Sequence, residues 1–386
     1  MSSKNLFSNF GLIGDNLDLK QNINLEISRD GKIINISYDN IYDNLDLLQK
    51  GQNFLLIPGL INSHVHIGDN FAKELGFNKD LIDIVEPPNG LKHKLLAETH
   101  EKIKVKGIKN AVLEMLSNGI TCFIDFRERG VNGLSILKEA LKDSPIYYLA
   151  LGRFTDGKEI EKVIDSADGI GLANYTMVSK KNKEKLKEFK SKYKKLFACH
   201  IAELSRENYI LKELINDKIV DIIIHGTHFI IEDLKQIKHN NIKLVLCPRC
   251  NGYFGVGFPP INDILRLKIP VSLGTDNLMA NSPDLFEEMR YTYLISRIMD
   301  KSYQISAKQL LKMVTINAAK IFNLEENLGS ISEGKYADFF MIDLNSPNYH
   351  SPNIDNNSFF PLILQRTKSN NIKRTYRKGE CVFERN

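Results

Sequence analysis

The stretch PGLINSHVHIGD, residues 58–69, decides how the rest of the chain is interpreted. An apolar run ends here in His64, Val65 and His66. Residues two apart share one face of a β-strand, so the imidazoles of His64 and His66 are expected to point the same way at the end of a strand. Two imidazoles placed in this way can bind one metal ion. The alternative is a pair of ordinary polar residues where a strand meets a loop, and the remaining chain decides between the two.

Short apolar segments alternate with amphipathic helical patterns through the middle of the chain. Eight segments predict β-strands, namely residues 59–66, 121–127, 146–153, 169–175, 196–202, 220–225, 243–247 and 270–275. Helical patterns lie between them, for example in residues 97–117, 132–142, 180–194, 208–215 and 231–238. Eight strands that alternate with helices predict an α/β fold, a (β/α)8 TIM barrel, over residues 59–327.

Both ends of the chain carry β-strand signals instead. Residues 22–38 alternate apolar and polar side chains around Asp30 and Gly31, which predicts a hairpin. Near the C-terminus, residues 329–343 and a turn at Lys378 and Gly379 predict further strands. We therefore expect a small β-sandwich built from residues 1–58 and 328–386, with the barrel inserted between its two parts.

The connection after the first predicted strand is long. Residues 67–94 contain the turn-forming sequence PPNG and few regular patterns. A loop of this length in a compact domain is usually functional or disordered, so we expect a lid or a loop that shapes the substrate site. Beyond the eighth strand, helices are expected to begin at Ser282 with Pro283 and at Ser306.

Composition excludes several classes of protein. The chain has 386 residues, an apolar share of 42% and a formal net charge of +5. No apolar run approaches the roughly 20 residues that span a bilayer, and the start lacks the pattern of a secretory signal. The mild charge gives no case for nucleic acid or membrane binding. The five cysteines are expected to be free thiols of a cytoplasmic protein. We expect a small-molecule substrate, and a homo-oligomer is left open.

Polar residues follow several of the predicted strands at the point where each ends. Beyond His64 and His66, these residues are His200 with Glu203, His225 with His228, and Asp276. Catalytic groups of (β/α)8 barrels lie at the carboxyl ends of the strands, so these side chains are expected to converge. Three or four such ligands suit Zn²⁺ better than Fe²⁺. A metal there would lower the pKa of a bound water to roughly 7, and Glu203 could shuttle protons.

These motifs resemble the amidohydrolase superfamily, in the branch that contains cytosine deaminase, S-adenosylhomocysteine deaminase and the chlorotriazine hydrolases. The matching stretches are PGLINSHVHIGD, CHIAE, IIHGTH, CPRCNGYFGVGFPPI, LGTDNLMANSPDLFEEM and GSISEGKYADFFMID. They extend over residues 55–343, which is most of the chain. The resemblance also implies a β-sandwich beside the barrel.

The resemblance implies a role for each strand-end residue. The four metal ligands that it implies are His64, His66, His200 and Asp276, and Asp276 takes part in catalysis as well. Glu203 matches the proton-shuttling glutamate. His225 matches the histidine that orients or polarises the attacking hydroxide. His228 could be confused with it, and we prefer His225 because it directly ends the apolar run; His228 is then expected to contact the substrate.

Two departures from the family pattern bear on the metal and the pocket. Branches with two metal ions bridge them with a carboxylated lysine at the end of strand four, whereas that strand here reads GIGLANYTMV. We therefore expect one divalent ion. Residues 247–251 read Cys-Pro-Arg-Cys-Asn, where relatives often have Ser or Thr around the arginine position. This difference alters the substrate pocket, in which Asn251 is expected to lie.

The expected activity is hydrolytic deamination of an amino-substituted heterocycle or a nucleoside-like compound. Metal-bound hydroxide would add to the carbon that bears the amine, and Glu203 would protonate the ring nitrogen and then the leaving ammonia. A cyclic amide hydrolase of the imidazolonepropionase type would use nearly the same site. A metal-free binding or scaffold protein is a third alternative, against which the complete set of ligands argues.

Arginines follow three of the predicted strands, and they suggest a charged substrate. They are Arg127 with Arg129, Arg153 and Arg249. The planar guanidinium pairs well with carboxylate or phosphate, so we expect an anionic group remote from the reacting carbon. Arg249 is the best candidate partner because it lies in the pocket segment after strand seven. The alternative is that each arginine pairs with a local acid such as Glu128 and only holds a loop.

Overall fold

Two β-sheets contain the strands of the part of the chain that the structure describes. The computed structural model describes residues 3–41, 52–303, 305–351 and 354–385. The strands are β1 (Lys4–Ile13), β2 (Asp18–Ile27), β3 (Ile33–Asp39), β4 (Phe54–Pro58), β5 (Leu60–His66), β6 (Ile120–Arg127), β7 (Tyr147–Gly152), β8 (Gly169–Leu172), β9 (Leu196–Ile201), β10 (Ile222–His225), β11 (Lys243–Leu246), β12 (Val271–Leu273), β13 (Asp276–Asn277), β14 (Phe339–Asp343), β15 (Ile372–Arg377) and β16 (Glu380–Glu384).

Helices alternate with the central strands. The α-helices are α1 (Leu81–Val85), α2 (Leu91–Glu98), α3 (Glu101–Ser117), α4 (Gly130–Leu141), α5 (Ile160–Ser166), α6 (Lys180–Tyr193), α7 (Asn208–Asp217), α8 (Ile231–His239), α9 (Pro248–Tyr253), α10 (Ile261–Arg266), α11 (Leu285–Met299), α12 (Ala307–Met313), α13 (Ile316–Ile321) and α14 (Asn356–Arg366). Short 3-10 helices span Ile67–Ala72, Pro347–Tyr349 and Ser369–Asn371. None of the helices within the described ranges is both long enough and apolar enough to cross a membrane.

The central sheet is parallel throughout and has nine strands. Its order is β12-β11-β10-β9-β8-β7-β6-β5-β13. All eight strands predicted in the middle of the chain are present, the eighth being divided into β12 and β13. These two pieces lie at opposite ends of the sheet although only Gly274 and Thr275 separate them in the chain. The side chain of Asn62 in β5 exchanges two hydrogen bonds with Thr275, of 2.7 and 3.0 Å.

Burial of both faces explains why these strands are apolar along their length. Every residue of β5 and of β6 is buried. In β10, Ile222 and Ile224 belong to an apolar cluster that includes residues of α13. Ile223 points to the opposite face and belongs to a different cluster, which includes residues of the surrounding helices. Parallel strands covered on both sides have this composition, and each fully buried isoleucine contributes about 1.5–3 kcal/mol to stability.

Gly274 allows the eighth strand to approach β5 closely at the position of His64. A Cβ atom built on Gly274 would lie 2.6 Å from the backbone nitrogen of His64 and 2.7 Å from both its carbonyl oxygen and its Cβ. Backbone atoms cannot move aside as a flexible side chain can. A glycine is therefore needed here, and the contact fixes His64 relative to the strand end that carries Asp276.

The second sheet joins the two ends of the chain. Its order is β16-β15-β14-β4-β1-β2-β3, and β1 and β4 are its one parallel pair among the described strands. Residues from both ends, among them Leu25 of β2 and Phe339 of β14, share an apolar cluster. The strands expected at each terminus thus form one seven-stranded sheet, and the chain passes from β4 into β5 with only Gly59 between them.

Some local predictions need correction. The connection over residues 67–94 is not irregular, because it contains a 3-10 helix, α1 and the start of α2. The helix expected to begin at Ser282 and Pro283 begins at Leu285 instead, and the side chain of Asp284 caps it by accepting a 3.0 Å hydrogen bond from the backbone of Glu287.

Helices α12 and α14 differ in whether their local sequence predicts them. The helix expected at Ser306 is confirmed, since Ser306 caps α12 in a reciprocal arrangement with Gln309. Helix α14 was not predicted, because Pro361 lies inside it and proline usually ends a helix.

Candidate active site

The carboxyl ends of four parallel strands bring histidine and aspartate side chains to one place. His64 and His66 end β5, His200 lies near the end of β9, and His225 ends β10. Asp276 begins β13, which pairs with β5 at Val65 and His66. Parallel strands place their carboxyl ends along one edge of a sheet, so residues far apart in sequence meet here.

Two of these residues have a strained backbone. His225 has a φ of 73° and Asp276 a φ of 59°, both in the left-handed region that ordinary side chains rarely occupy. Strain of this kind persists where the surrounding structure enforces it, and it is concentrated at functional sites. Here it turns the chain at the strand ends, next to the cluster of imidazoles.

The polar atoms of the cluster lie within a few ångströms of one another. His64 Nε2 is 3.2 Å from Asp276 Oδ1 and 3.3 Å from His200 Nε2. His66 Nε2 is 3.4 Å from the same Asp276 Oδ1. Ligand-type atoms of His64, His66 and His200 all lie within 4.8 Å of one another, and so do those of His64, His225 and Asp276. This spacing allows several of these atoms to bind one ion.

Backbone carbonyls fix which nitrogen of two imidazoles faces the cluster. His66 Nδ1 lies 3.1 Å from the carbonyl oxygen of Phe126, and His200 Nδ1 lies 3.0 Å from that of Leu172. A carbonyl only accepts, so each Nδ1 carries the proton and each Nε2 presents a lone pair. Burial lowers the pKa of His66 to about 3 and, with the neighbouring imidazoles, holds that of His200 well below its usual value. Both rings are therefore neutral near pH 7.

The centre of the cluster is rich in acceptors and poor in donors. Burial alone would raise the pKa of Asp276, but its contacts with His64 and the other imidazoles hold it well below the usual value, so it is a carboxylate. Its Oδ1 and the lone pairs of His66 and His200 surround a space beside which His64 Nε2 also lies. Such a set of nitrogen and oxygen atoms suits a divalent metal ion such as zinc.

His225 differs from the other histidines because it presents a proton. The side-chain amide of Asn251 donates to His225 Nδ1 over 3.2 Å, so Nε2 carries the hydrogen. That Nε2 lies 3.4 Å from Glu203 Oε1 and 3.9 Å from Asp276 Oδ2. Asn251, which the sequence assigned to the substrate pocket, holds this ring. Burial lowers the pKa of His225 to about 4, so the imidazole is neutral.

His228 lies apart from this cluster. Its ring lies next to Gly257, 3.5 Å from the position that a Cβ atom on this glycine would take. His228 is not among the residues that line the cavity described below. Within the described ranges its Nε2 is buried and has no hydrogen-bond partner.

Glu203 is held where it can carry a proton toward the cluster. It follows Ala202, whose φ of 55° turns the chain at the end of β9. Only 17% of its side chain is exposed. Burial and the nearby Asp276 carboxylate hold the pKa of Glu203 well above its usual value. Both effects favour the protonated form of the carboxyl, which is the form that a general acid needs.

A cavity of about 220 Å³ opens onto these groups. The metal-site end is lined by His66, His200, Glu203, His225 and Asp276, and the outer part by Leu81, Ile82, Val85, Pro87, Met177 and Leu204. This volume is below the roughly 300–1,000 Å³ of drug-sized sites, so the cavity suits a small ring compound. A larger groove of about 850 Å³ between the β1–β2 turn and α11, α12 and α14 contains none of the predicted site residues.

The arginines at the strand ends have different surroundings. Arg249 Nη2 is 2.9 Å from Glu287, and its Nη1 donates to the carbonyl oxygens of Ser282 and Asp284. Arg127 Nη2 is 2.6 Å from Glu128. Both guanidinium groups thus form local ion pairs, and neither residue is among those that line the cavity.

Arg153 alone of the predicted substrate arginines lines the cavity. Its guanidinium makes no hydrogen bond or ion pair with any residue in the described part of the chain, and its Nε is buried. Arg129, the neighbour of Arg127, is exposed at the start of α4. Arg153 is therefore the arginine that remains available to a ligand in the cavity.

Among the lining residues that the sequence did not predict are two basic ones, Lys92 and His93 of α2. They lie in the segment interpreted as an irregular loop. The sequence GLKHKLLAE does place apolar residues on one side of a short helix, but no periodicity in it indicates that a lysine is buried.

The fold and site together define a metal-dependent hydrolase with a parallel βα core and its polar centre at the strand ends. The family model described as "Amidohydrolase family" matches residues 55–382, and the chain belongs to this family. The resemblance found in the sequence, and the enzyme class expected from it, a hydrolase of carbon–nitrogen bonds other than peptide bonds, are confirmed.

Individual relatives extend over most of the chain. An uncharacterised protein of Methanocaldococcus jannaschii is 43% identical over 320 residues, which cover 78% of this chain and 81% of the relative. A 5-methylthioadenosine/S-adenosylhomocysteine deaminase of Caldanaerobacter subterraneus subsp. tengcongensis is 26% identical over 353 residues, covering 80% and 77%. The crystal structure of an adenosine deaminase from Xanthomonas campestris with bound zinc shares the fold, with a TM-score of 0.82, 16% identity and coverage of 98% and 92%.

Removing strand-end ligands should remove the metal. Purified protein is expected to hold close to one Zn²⁺ or Fe²⁺ per chain, and His200→Ala or Asp276→Ala should lose most of it, because each deletes an acceptor from the centre. Metal content measured by mass spectrometry tests this, with His239→Ala, an exposed histidine on α8, as the matched control. Full occupancy in the double variant of His200 and Asp276 would show that the ligands lie elsewhere.

The two histidines after β10 should behave differently. His225→Asn is expected to lower kcat by about 10²-fold or more with modest loss of metal, because it removes the N–H group that faces Glu203. His228→Asn should change kcat much less, since that ring lies outside the cavity. Steady-state kinetics on metal-loaded protein measure both, and the opposite order would assign the role to His228.

Proposed function

We propose that this protein is a metal-dependent deaminase of an amino-substituted heterocycle or a nucleoside-like compound. The observation that carries the proposal is the position of Glu203, which lies in one cavity with the acceptor-rich centre and has its Oε1 3.4 Å from His225 Nε2. A hydrolytic deamination needs an activated water beside a group that can donate protons to nitrogen. The cavity has room for a small ring next to both.

The relatives support this chemistry. The named relative from Caldanaerobacter is a deaminase of adenosine derivatives, and the similar fold from Xanthomonas is an adenosine deaminase with zinc. We extend from them to this chain the reaction, a small-molecule substrate and zinc in preference to iron. The substrate itself is not transferred, because an identity of 26% leaves the cavity walls free to differ.

We propose a single ion held by His64, His66, His200 and Asp276. Strand β8 has the sequence GIGL, and it offers no side chain that could bridge two ions. When bound, a divalent ion lowers the pKa of a coordinated water to about 7, which supplies a nucleophile at neutral pH.

The protein's own residues would then direct the proton transfers. The oxygen of water adds to the ring carbon that bears the amine, and a ring nitrogen takes up a proton from the carboxyl of Glu203. Glu203 takes one proton from the added water and gives it to the amine. The carbon–nitrogen bond then breaks and ammonia leaves with the bonding electron pair. The remaining proton of the added oxygen returns to Glu203, which leaves a carbonyl on the ring and restores the carboxyl. His225 orients the attacking oxygen through its Nε2–H, and Asn251 keeps that hydrogen in place.

We further propose that the substrate carries an anionic group that pairs with Arg153. The guanidinium lines the cavity and has no acceptor of its own among the described residues. Arg153 is partly buried, and its Nε is fully buried without a partner in the described ranges. A carboxylate or phosphate from the substrate would supply acceptors to this partly desolvated cation. In this proposal the anionic group of the substrate lies beside Arg153, in the connection between β7 and α5, and not beside Arg249.

We also propose that the parallel sheet is a closed (β/α)8 barrel formed by residues 59–327. Its two terminal strands, β12 and β13, are separated by two residues, and Asn62 and Thr275 connect β5 to that point. Residues 1–58 and 328–386 would form the second unit, a sandwich-like sheet, which the shared cluster around Phe339 supports.

Ammonia release should identify the reaction and test Glu203. A set of amino-substituted heterocycles and nucleosides is incubated with metal-loaded protein, and ammonia is assayed. We expect release with at least one compound, whereas cyclic amide hydrolysis would release none. Glu203→Gln should keep the metal and lower kcat by at least about 10²-fold, because the amide cannot transfer the protons. Turnover close to wild type in this variant would remove Glu203 from the mechanism.

Substrate charge should be sensed at Arg153. For an anionic substrate, Arg153→Met is expected to raise KM by about 10- to 100-fold, the equivalent of about 1.5–3 kcal/mol for a charged hydrogen bond. The neutral analogue should be affected little. Arg249→Met is the matched control and should leave the ratio of the two KM values unchanged. Equal effects of Arg153→Met on both substrates would contradict an anion site there.

A further inference from the structure

Lys92 is a lysine buried beneath the candidate active site. Its side chain is 3% exposed, and its ammonium lies among three oxygens. Lys92 Nζ is 2.6 Å from Glu128 Oε1, donates to Asn277 Oδ1 over 2.8 Å, and is 3.4 Å from Asp69 Oδ2. The contact with Asn277 is a hydrogen bond, and the contacts with Glu128 and Asp69 are ion pairs. Lysine is almost never buried to this extent without such partners.

Two of these partners lead directly to the metal ligands. Glu128 Oε1, the same oxygen that faces Lys92, is 2.7 Å from His66 Nδ1. Asn277 follows Asp276 in the chain, and it pairs with His66 between β13 and β5. The ammonium therefore lies behind His66, on the side of the imidazole opposite to Nε2.

Glu128 needs a cation in order to occupy this position. Its side chain is 2% exposed, and its two oxygens each lie 2.6 Å from a cation, Oε1 from Lys92 Nζ and Oε2 from Arg127 Nη2. The same Oε1 lies 2.7 Å from His66 Nδ1, whose proton the carbonyl oxygen of Phe126 accepts. A carboxylate behind a ligating imidazole keeps the ring oriented and increases the basicity of the nitrogen that faces the metal.

Lys92 also belongs to the wall of the cavity. It lies on α2, and the next residue, His93, lines the cavity and bonds through Nε2 to the carbonyl oxygen of Val85 at the end of α1, over 3.0 Å. Helices α1 and α2, in the segment that was predicted to be a loop, form this side of the cavity. The ammonium is thus the point at which this wall meets the metal site.

We propose that Lys92 is a positioning residue of the metal centre, which acts through Glu128 to hold the imidazole of His66 in its ligating orientation. The proposal rests on the proposed metal site. It assigns to α2 a role in metal affinity that neither the cavity shape nor the ligand set requires. The alternative is that Lys92 only compensates buried negative charge and stabilises the fold.

A second buried lysine provides a matched control. Lys104 of α3 is 6% exposed, and its Nζ donates to the carbonyl oxygen of Leu96 in α2 over 3.1 Å. Within the described ranges it has no carboxylate at ion-pair distance. Lys92→Met and Lys104→Met thus each remove a buried ammonium that contacts or belongs to α2, but only the first touches Glu128.

The test measures zinc affinity by competition with a chromophoric chelator. Lys92→Met is expected to weaken zinc binding by about 10- to 100-fold, the range for residues that orient metal ligands. Lys104→Met should change it less than threefold. In cobalt-substituted protein, the visible absorption bands, which report ligand geometry, should shift in Lys92→Met and not in Lys104→Met. Equal zinc affinities and unchanged spectra in all three proteins would overturn the proposal.

A double variant keeps the test decisive if Lys92→Met does not fold. Lys92→Met with Glu128→Gln leaves no unpaired charge between the two positions. Because Lys92 acts through Glu128, the double variant should bind zinc within threefold of Glu128→Gln alone. Weaker binding by tenfold or more would overturn the route through Glu128. Absence of zinc binding in the wild-type protein would instead refute the proposed metal site, and is thereby distinguished from failure of the role of Lys92.

Discussion

The hydrogen bonds from two imidazoles to backbone carbonyls are the interactions on which the site depends. Phe126 lies on β6, the neighbour of β5, and Leu172 lies on β8, the neighbour of β9. The parallel pairing that builds the sheet therefore also supplies the acceptors for His66 and His200. Once each Nδ1 proton is bound by the next strand, each Nε2 lone pair must face the centre. Fold and metal chemistry are connected here without any flexible element.

His225 shows how the same architecture produces the opposite role. Its Nδ1 faces no strand carbonyl but the amide of Asn251, which lies on α9 and donates. The ring therefore turns a hydrogen toward Glu203, whereas its neighbours turn lone pairs toward Asp276. The chemistry of each imidazole follows from the group behind it, so His66, His200 and His225, at the ends of β5, β9 and β10, are not interchangeable.

The sequence was sufficient for the features that depend on local pattern. Period-two spacing placed His64 and His66 together, and apolar runs located the eight strands, because burial on both faces leaves a strong compositional signal. The start of α12 at Ser306 was predicted because a capping residue is also a local signal. The helix at α14 was missed because Pro361 gives a local signal that tertiary packing overrides.

Features that depend on which distant groups meet could not be obtained in this way. Arg249 and Arg153 have similar positions after their strands, but the acids that bind Arg249 come from α11, which the sequence does not place beside it. No sequence pattern marks Lys92, since its burial depends on Glu128, which follows β6, and on Asn277 of β13. Pairing of charges across elements is decided by packing, and a single sequence does not record it.

The two cations near the cavity illustrate what packing decides. A lysine ammonium is a compact charge with three donors, and Lys92 meets three oxygens, so it has nothing left to offer a ligand. A guanidinium is a planar fork suited to two oxygens of one group, and Arg153 meets none among the described residues. A cation that already has its partners, such as Lys92, holds the structure rigid. A guanidinium without partners, such as that of Arg153, can recognise a ligand, because it gains a partner when the ligand enters. An exchange of the two side chains would place arginine at position 92 and lysine at position 153. We expect it to disturb the metal site and to remove the planar fork from the cavity, although the net charge would be the same.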